Sequence, residues 1–143
     1  MKYYLFKSEP NTWSWDDQCK AKNQTTEWDG VRNFQANNIM KAMKKGDRGF
    51  FYHSVNEKRI VGVVEVVKEW EVDPTDNTGR SKEGFGMVTL KAVGPFTTPI
   101  TLDDVKNEPK CESMVLVNNS RLSVQPVSAS EWRVVCKMGG FKA

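Results

Sequence analysis

The residues best suited to chemistry stand between positions 28 and 54, in WDGVRNFQANNIMKAMKKGDRGFFYHS. Trp28 would supply a flat stacking face in a polar loop beside Asp29-Gly30, and Arg32 and Asn33 follow at once. The stretch closes on His53 and Ser54 after an aromatic run. Upstream, Ser8 and Glu9 sit just before Pro10, again at the end of an aromatic run. Side chains at such strand ends can converge on a cleft. Single bases are held by aromatic faces together with hydrogen bonds to their edges. Each residue also has an ordinary structural use. Tryptophan packs cores, serine and asparagine cap turns and helices, and a lone arginine is commonly at the surface. For Trp28 the core and the ligand readings are about even.

Catalytic alternatives have less support. His53 is the only histidine, and Cys19, Cys111 and Cys136 are far apart with no CxxC pair. That pattern argues against a zinc site and for a reducing, intracellular compartment. A Cys-His pair has no local motif behind it. Asp16-Asp17 and Asp103-Asp104 are explained by the positive ends of helices. Gly84-Phe85-Gly86 is a lone fragment, not a phosphate loop. The expectation is no cofactor and no metal. The apolar run at residues 3–6 is too short for a signal peptide or a membrane span.

The elements that must position these residues belong to one domain, residues 1–143. Hydrophobic residues make up 38%, enough for a core without staples. The net charge of +3 permits anionic partners but is small for binding through many phosphates. A strand is expected at residues 2–7, and Ser14 with Asp17 can cap a helix over 15–21. Residues 22–27 read as loop. Asn33 is a good N-cap for an amphipathic helix with Phe34, Ile39, Met40 and Met43 on its stripe, stopped at Gly46. Strands follow at 47–53 and 59–70, the second bent or closely approached at Gly62. Residues 73–84 read as an exposed mobile loop, and 87–93 as a strand broken by Gly94-Pro95. Thr101 can cap a helix over 102–106; residues 114–117 are apolar but too short to assign. A strand at 121–125 stops at Pro126, and a capping box at Ser128 and Glu131 starts a helix that ends at Gly139-Gly140. Trp15 and Trp132 are expected in the core, and Trp13 with them.

Taken together, FKSEP at 6–10, SWDD at 14–17, WDGVRNFQANN at 28–38, FFYHS at 50–54, IVGVVEVV at 60–67, DPTD at 73–76 and SRLSVQPV at 120–127 resemble the EVE domain family of the PUA-like superfamily. The resemblance covers nearly the whole chain. It implies an α+β fold, a small, mostly antiparallel β-barrel with flanking short helices, similar to the YTH readers of methylated adenine. The implied activity is recognition of a modified base in DNA or RNA, without chemistry. By the same resemblance Trp28 corresponds to a cage tryptophan, and Ser8 and Glu9 to edge-reading residues. The family often has a tryptophan just before residue 87, where this chain has Phe85, and a smaller residue where it has Trp70. The resulting expectation is a monomeric, cytoplasmic (nuclear in a eukaryote) reader. Ser8, Glu9, Trp28, Asn33, His53 and Ser54 are its candidate base contacts, and Arg32 and Arg121 its candidate phosphate contacts. Rival readings are an enzyme acting on a modified nucleotide, using His53 or Glu9, and a protein-interaction module anchored by Trp28.

Overall fold

A computed structural model describes residues 1–119 and 121–142. Its elements in chain order are β1 Tyr3–Ser8, α1 Trp15–Lys20, β2 Thr25–Glu27, α2 Phe34–Lys41, β3 Arg48–His53, β4 Arg59–Val72, β5 Gly86–Thr101, α3 Leu102–Lys106, α4 Val115–Asn118, β6 Val124–Val127 and α5 Ala129–Gly139. Short 3₁₀ turns occupy Lys22–Gln24 and Pro109–Cys111.

The strands form one six-stranded sheet in the order β2-β5-β4-β3-β1-β6. Only β1 and β3 run parallel; the other neighbouring pairs are antiparallel. The expected barrel is therefore corrected in one respect. β2 and β6 are the two ends of the strand order, and the sheet is not closed. Closure needs every strand to have two partners, whereas β2 has three residues and β6 four.

The sheet is covered on both faces, and the side-chain alternation of a strand sorts the residues between them. Tyr4, Phe6, Phe51 and Val64 pack on one side with Trp15, Trp28 and Met40 from the flanking segments. Leu5, Phe50, Tyr52 and Val63 pack on the other with Trp132, Val135 and Cys136 of α5. Burial on both faces is why β1 and β3 read as continuous apolar runs. Trp132 is 2% exposed and stacks on Phe50, with ring centres 4.1 Å apart.

Local chemistry starts and stops the helices largely as expected. Ser14, Thr101 and Ser128 each form a complete capping box. Asn33 caps α2, its side chain accepting the Ala36 N–H at 2.9 Å. Gly140, at φ 69°, takes the left-handed turn that ends α5. Several boundaries differ. α2 ends at Lys41 with Ala42 as its cap, and Gly46, at φ 98°, instead opens the turn into β3. β5 runs on through Gly94-Pro95, at a point where its register against β4 is irregular. β6 contains Pro126, which the edge of a sheet tolerates because a proline there need not donate to a second neighbour. Ser120, the first residue of the SRLSVQPV stretch, lies outside the described residues.

Gly62 shows why its position admits no side chain. A Cβ there would come within 2.6 Å of the Trp15 ring, which lies against the β4 backbone.

Candidate functional site

One cleft of about 570 Å³ is lined by Lys7, Ser8, Glu9, Thr12, Trp13, Thr26, Glu27, Trp28 and Asp29. Its walls are the end of β1 with the turn that follows, and the short edge strand β2 with the two residues after it. The sequence placed Ser8, Glu9 and Trp28 as candidates, and the fold brings these three to one hollow.

The turn wall is tightly held. The Glu9 carbonyl accepts the N–H groups of Thr12 and Trp13, both at 2.9 Å. The Ser8 hydroxyl donates to the Trp13 carbonyl. The Trp13 indole N–H donates to the side-chain oxygen of Gln18 at 2.9 Å. Gln18 is fully buried and donates in turn to the carbonyls of Gln24 and Leu90. A single amide thus fixes Trp13, the 3₁₀ turn and β5 relative to one another.

The opposite wall hangs on β5. β2 pairs with Thr89, Leu90 and Lys91, and the Trp28 N–H donates to the Val88 carbonyl at 2.8 Å. The Trp28 ring packs edge-on against Phe6 and Phe51, with ring centres 5.6 Å away in each case. At 8% exposure, Trp28 is a core residue and a cleft-lining residue at once. The core reading left open by the sequence is met, and the ring also borders the cleft.

The loop after Trp28 is pinned by Asp73. This carboxylate accepts the Gly30 N–H and the Arg32 guanidinium on one oxygen, each at 2.9 Å. Its other oxygen accepts the Thr75 N–H and hydroxyl, at 2.8 and 2.6 Å. Burial alone would raise the Asp73 pKa. The hydrogen bonds from Thr75, Gly30 and Arg32 outweigh it and hold the carboxyl far below the usual carboxylate range. Asp76 adds a second acidic partner for Arg32 and accepts the Phe85 N–H. The segment expected to be a mobile loop is thus organised by two aspartates at its start.

The remaining candidates lie elsewhere. Arg32 is engaged with Asp73, Thr75 and Asp76. Asn33 is exposed and spends its side-chain oxygen on the α2 cap. His53 is 7% exposed; its Nε2 accepts the Trp15 N–H at 3.0 Å, and its Nδ1 hydrogen-bonds Glu57 at 2.9 Å. That His53 bond, offset in part by burial and joined by Arg59, holds Glu57 below its ordinary pKa. Ser54 lines a different hollow, with Lys7, Tyr52, Lys58, Lys106 and Ser123. Arg121 is exposed. Phe85 packs under Phe34, Arg32 and Arg80. Trp70 donates to Asn37 at 2.8 Å and lies against Lys41. Neither of these rings is among the residues lining the Trp28 cleft.

Trp13 was missed as a cleft residue, along with Lys7, Thr12, Thr26, Glu27 and Asp29. The sequence offers only its position after the Glu9-Pro10 turn, which does not by itself place the ring; in the structure Trp13 is half-buried. With one lysine against Glu9, Glu27 and Asp29, the cleft is acidic and rich in acceptors. Among the described residues, no group of three or more His, Cys, Asp or Glu side chains is placed to hold a metal ion.

Comparison with known proteins fits this architecture. The family model described as "EVE domain" matches residues 2–138. The chain is 34% identical to thymocyte nuclear protein 1 of Gallus gallus, over 95% of this chain and 68% of that protein. It superposes on a crystal structure of an Agrobacterium tumefaciens protein at 48% identity and TM-score 0.92, covering 99% of this chain and 94% of the other. Human THYN1, solved in complex with DNA containing 5-methylcytosine, matches at 30% identity and TM-score 0.89, with all of both chains covered. A YTH domain from Zygosaccharomyces rouxii, solved with N6-methyladenosine RNA, shares the fold at TM-score 0.56 and 15% identity.

Proposed function

This chain belongs to the EVE domain family, and we propose that it is a non-catalytic module that receives one modified nucleobase of DNA or RNA in the Trp28 cleft. The observation that carries the reading is the meeting of Ser8, Glu9, Trp13 and Trp28 in one hollow, in a chain whose human relative is in complex with 5-methylcytosine DNA. Trp28, with Trp13 beside it, supplies aromatic surface for stacking. Glu9, Glu27 and Asp29 supply acceptors. Carboxylates accept hydrogen bonds from exocyclic amino groups, as on cytosine. An acceptor-rich cleft therefore favours an amino-bearing base edge over a carbonyl-bearing one.

His53 is turned away from a role in proton transfer. Its accepting nitrogen is occupied by the Trp15 N–H and its other nitrogen by Glu57. The cleft as described binds without needing chemistry.

Energetics set the regime. Extruding a base from a duplex costs a few kcal/mol, least when it is unpaired. One aromatic stacking contact contributes roughly 1–3 kcal/mol. Binding through the cleft alone is therefore weak, and single-stranded or mismatched targets are favoured.

The test is titration of single-stranded DNA carrying one 5-methylcytosine against its unmethylated twin and a thymine version. Trp28→Phe keeps a ring in the core and should reduce the preference for the methylated strand. Glu9→Gln should reduce the preference for cytosine over thymine. Both preferences surviving both substitutions would place the recognition site elsewhere.

A further inference from the structure

A second hollow, also of about 570 Å³, shares Lys7 with the first. Lys7, Lys58 and Lys106 line it together with Ser54, Ser123 and Tyr52, and among the described residues no carboxylate does. Lys7 belongs to both hollows. The two are thus adjacent and opposite in character, one acidic and one basic. Glu57, before Lys58, holds His53 and Arg59. Asp104, near Lys106, accepts the Thr101 N–H that starts α3.

The turn that carries Lys58 is also unusual. Val55 and Lys58 both adopt left-handed backbone, at φ 71° and 50°. For a β-branched residue such as valine this is a rare conformation, and it persists only where the surroundings impose it. It follows β3 directly, and the Ser54 N–H donates to the Ser8 carbonyl at 2.9 Å. The basic turn is thereby tied to the rim of the acidic cleft.

We propose that the basic hollow is a track for the phosphodiester backbone: the strand whose base enters the Trp28 cleft passes over Lys7 and lays its neighbouring phosphates against Lys58 and Lys106. The inference rests on the base-binding reading for the location of the strand. It transfers the phosphate role from Arg32, which is engaged by Asp73, to Lys58 and Lys106, which face one hollow. Seryl hydroxyls at Ser54 and Ser123 are suited to the same oxygens. The small net charge and this local concentration of lysine are compatible, because two phosphate contacts suffice for a salt slope of roughly −1.4 on single strands.

The experiment measures affinity across a salt series for the 5-methylcytosine single strand and its unmethylated twin, with the parent chain and with Lys58→Gln/Lys106→Gln. Both lysines are exposed, so the fold is undisturbed. The double variant should weaken both strands in parallel. Its slope of log K against log salt should be shallower by roughly 1.4, from two lost contacts at about 0.7 each. A control, Lys110→Gln/Lys137→Gln, removes equal charge beside α5 and should leave the slope unchanged. The proposal is overturned by an unchanged slope in the test variant, by an equal change in the control, by a loss confined to the methylated strand, or by no binding of either strand to the parent. A normal response of Trp28→Phe with an unchanged lysine slope would sink the track alone. A lysine effect with the methyl preference intact in Trp28→Phe and the cytosine preference intact in Glu9→Gln would sink the base cleft alone.

Discussion

Asp73→Asn is the substitution whose consequences can be worked most fully from the structure. The change keeps the shape of the side chain and removes its charge. One amide oxygen can still accept the Thr75 N–H and hydroxyl. The amide nitrogen then faces the Gly30 N–H and the Arg32 guanidinium, donor against donor. Leaving a buried donor unsatisfied costs about 1–3 kcal/mol, more for a charged one. The Arg32 side chain keeps 25% exposure and recovers part of its loss to water. The expected destabilisation at neutral pH is roughly 2–4 kcal/mol. It has a definite pH dependence. The native carboxyl is held far below its unfolded value, so the unfolded state binds the proton more readily. The stability that Asp73 contributes is complete above about pH 5 and declines as pH falls through the unfolded pKa of about 4 towards the native one. The gap between parent and variant should therefore narrow in acid. Urea unfolding at neutral pH and near pH 3 measures both parts. A difference under about 1 kcal/mol at neutral pH, or a gap that does not shrink in acid, would refute the role given to this carboxylate.

Further expectations concern the core and the thiols. Gly62→Ala drives a Cβ into the Trp15 ring and should cost ~1–3 kcal/mol in chemical unfolding, whereas a neutral result would mean that Trp15 moves freely. Trp132→Ala removes a ring stacked between Phe50 and Tyr3, and a loss of ~3–5 kcal/mol is expected in the same measurement. Burial pushes the thiols of Cys111 and Cys136 up to about 11 and about 12, with Glu108 and Glu131 adding to the first and Arg48 slightly opposing the second. At neutral pH a thiol-reactive probe should label half-buried Cys19 first and the other two only on unfolding; mass spectrometry of the labelled native protein checks the order.

Much of the fold was legible because its signals are local. Ser14, Asn33, Thr101 and Ser128 announce helix starts through side chains that reach three residues on. β2 was not legible. Thr25–Glu27 has no apolar alternation, because it is a short edge strand whose existence depends on pairing with residues far along the chain. The continuation of β5 was hidden by Gly94-Pro95, whose breaking tendency is accommodated by a register shift against β4. At the site, Ser8, Glu9 and Trp28 could be read from strand-end and loop positions. Trp13 could not, since its place depends on Gln18, a buried amide whose partners include Leu90. Arg32 looked available from sequence because nothing local shows that Asp73 and Asp76 return to meet it.

The described residues lining the cleft all come from one unbroken piece of chain, residues 7–29. Its fastenings to the rest of the protein include the end of the β1 pairing, the β2 ladder continued by the Trp28 N–H to Val88, the Gln18 amide, the Trp15 bond to His53 and the Trp28 ring on Phe51. On the proposed reading the recognition surface is a cassette: exchanging residues 7–29 between family members, with the fastening points kept, should exchange ligand preference while leaving the sheet that presents the segment intact.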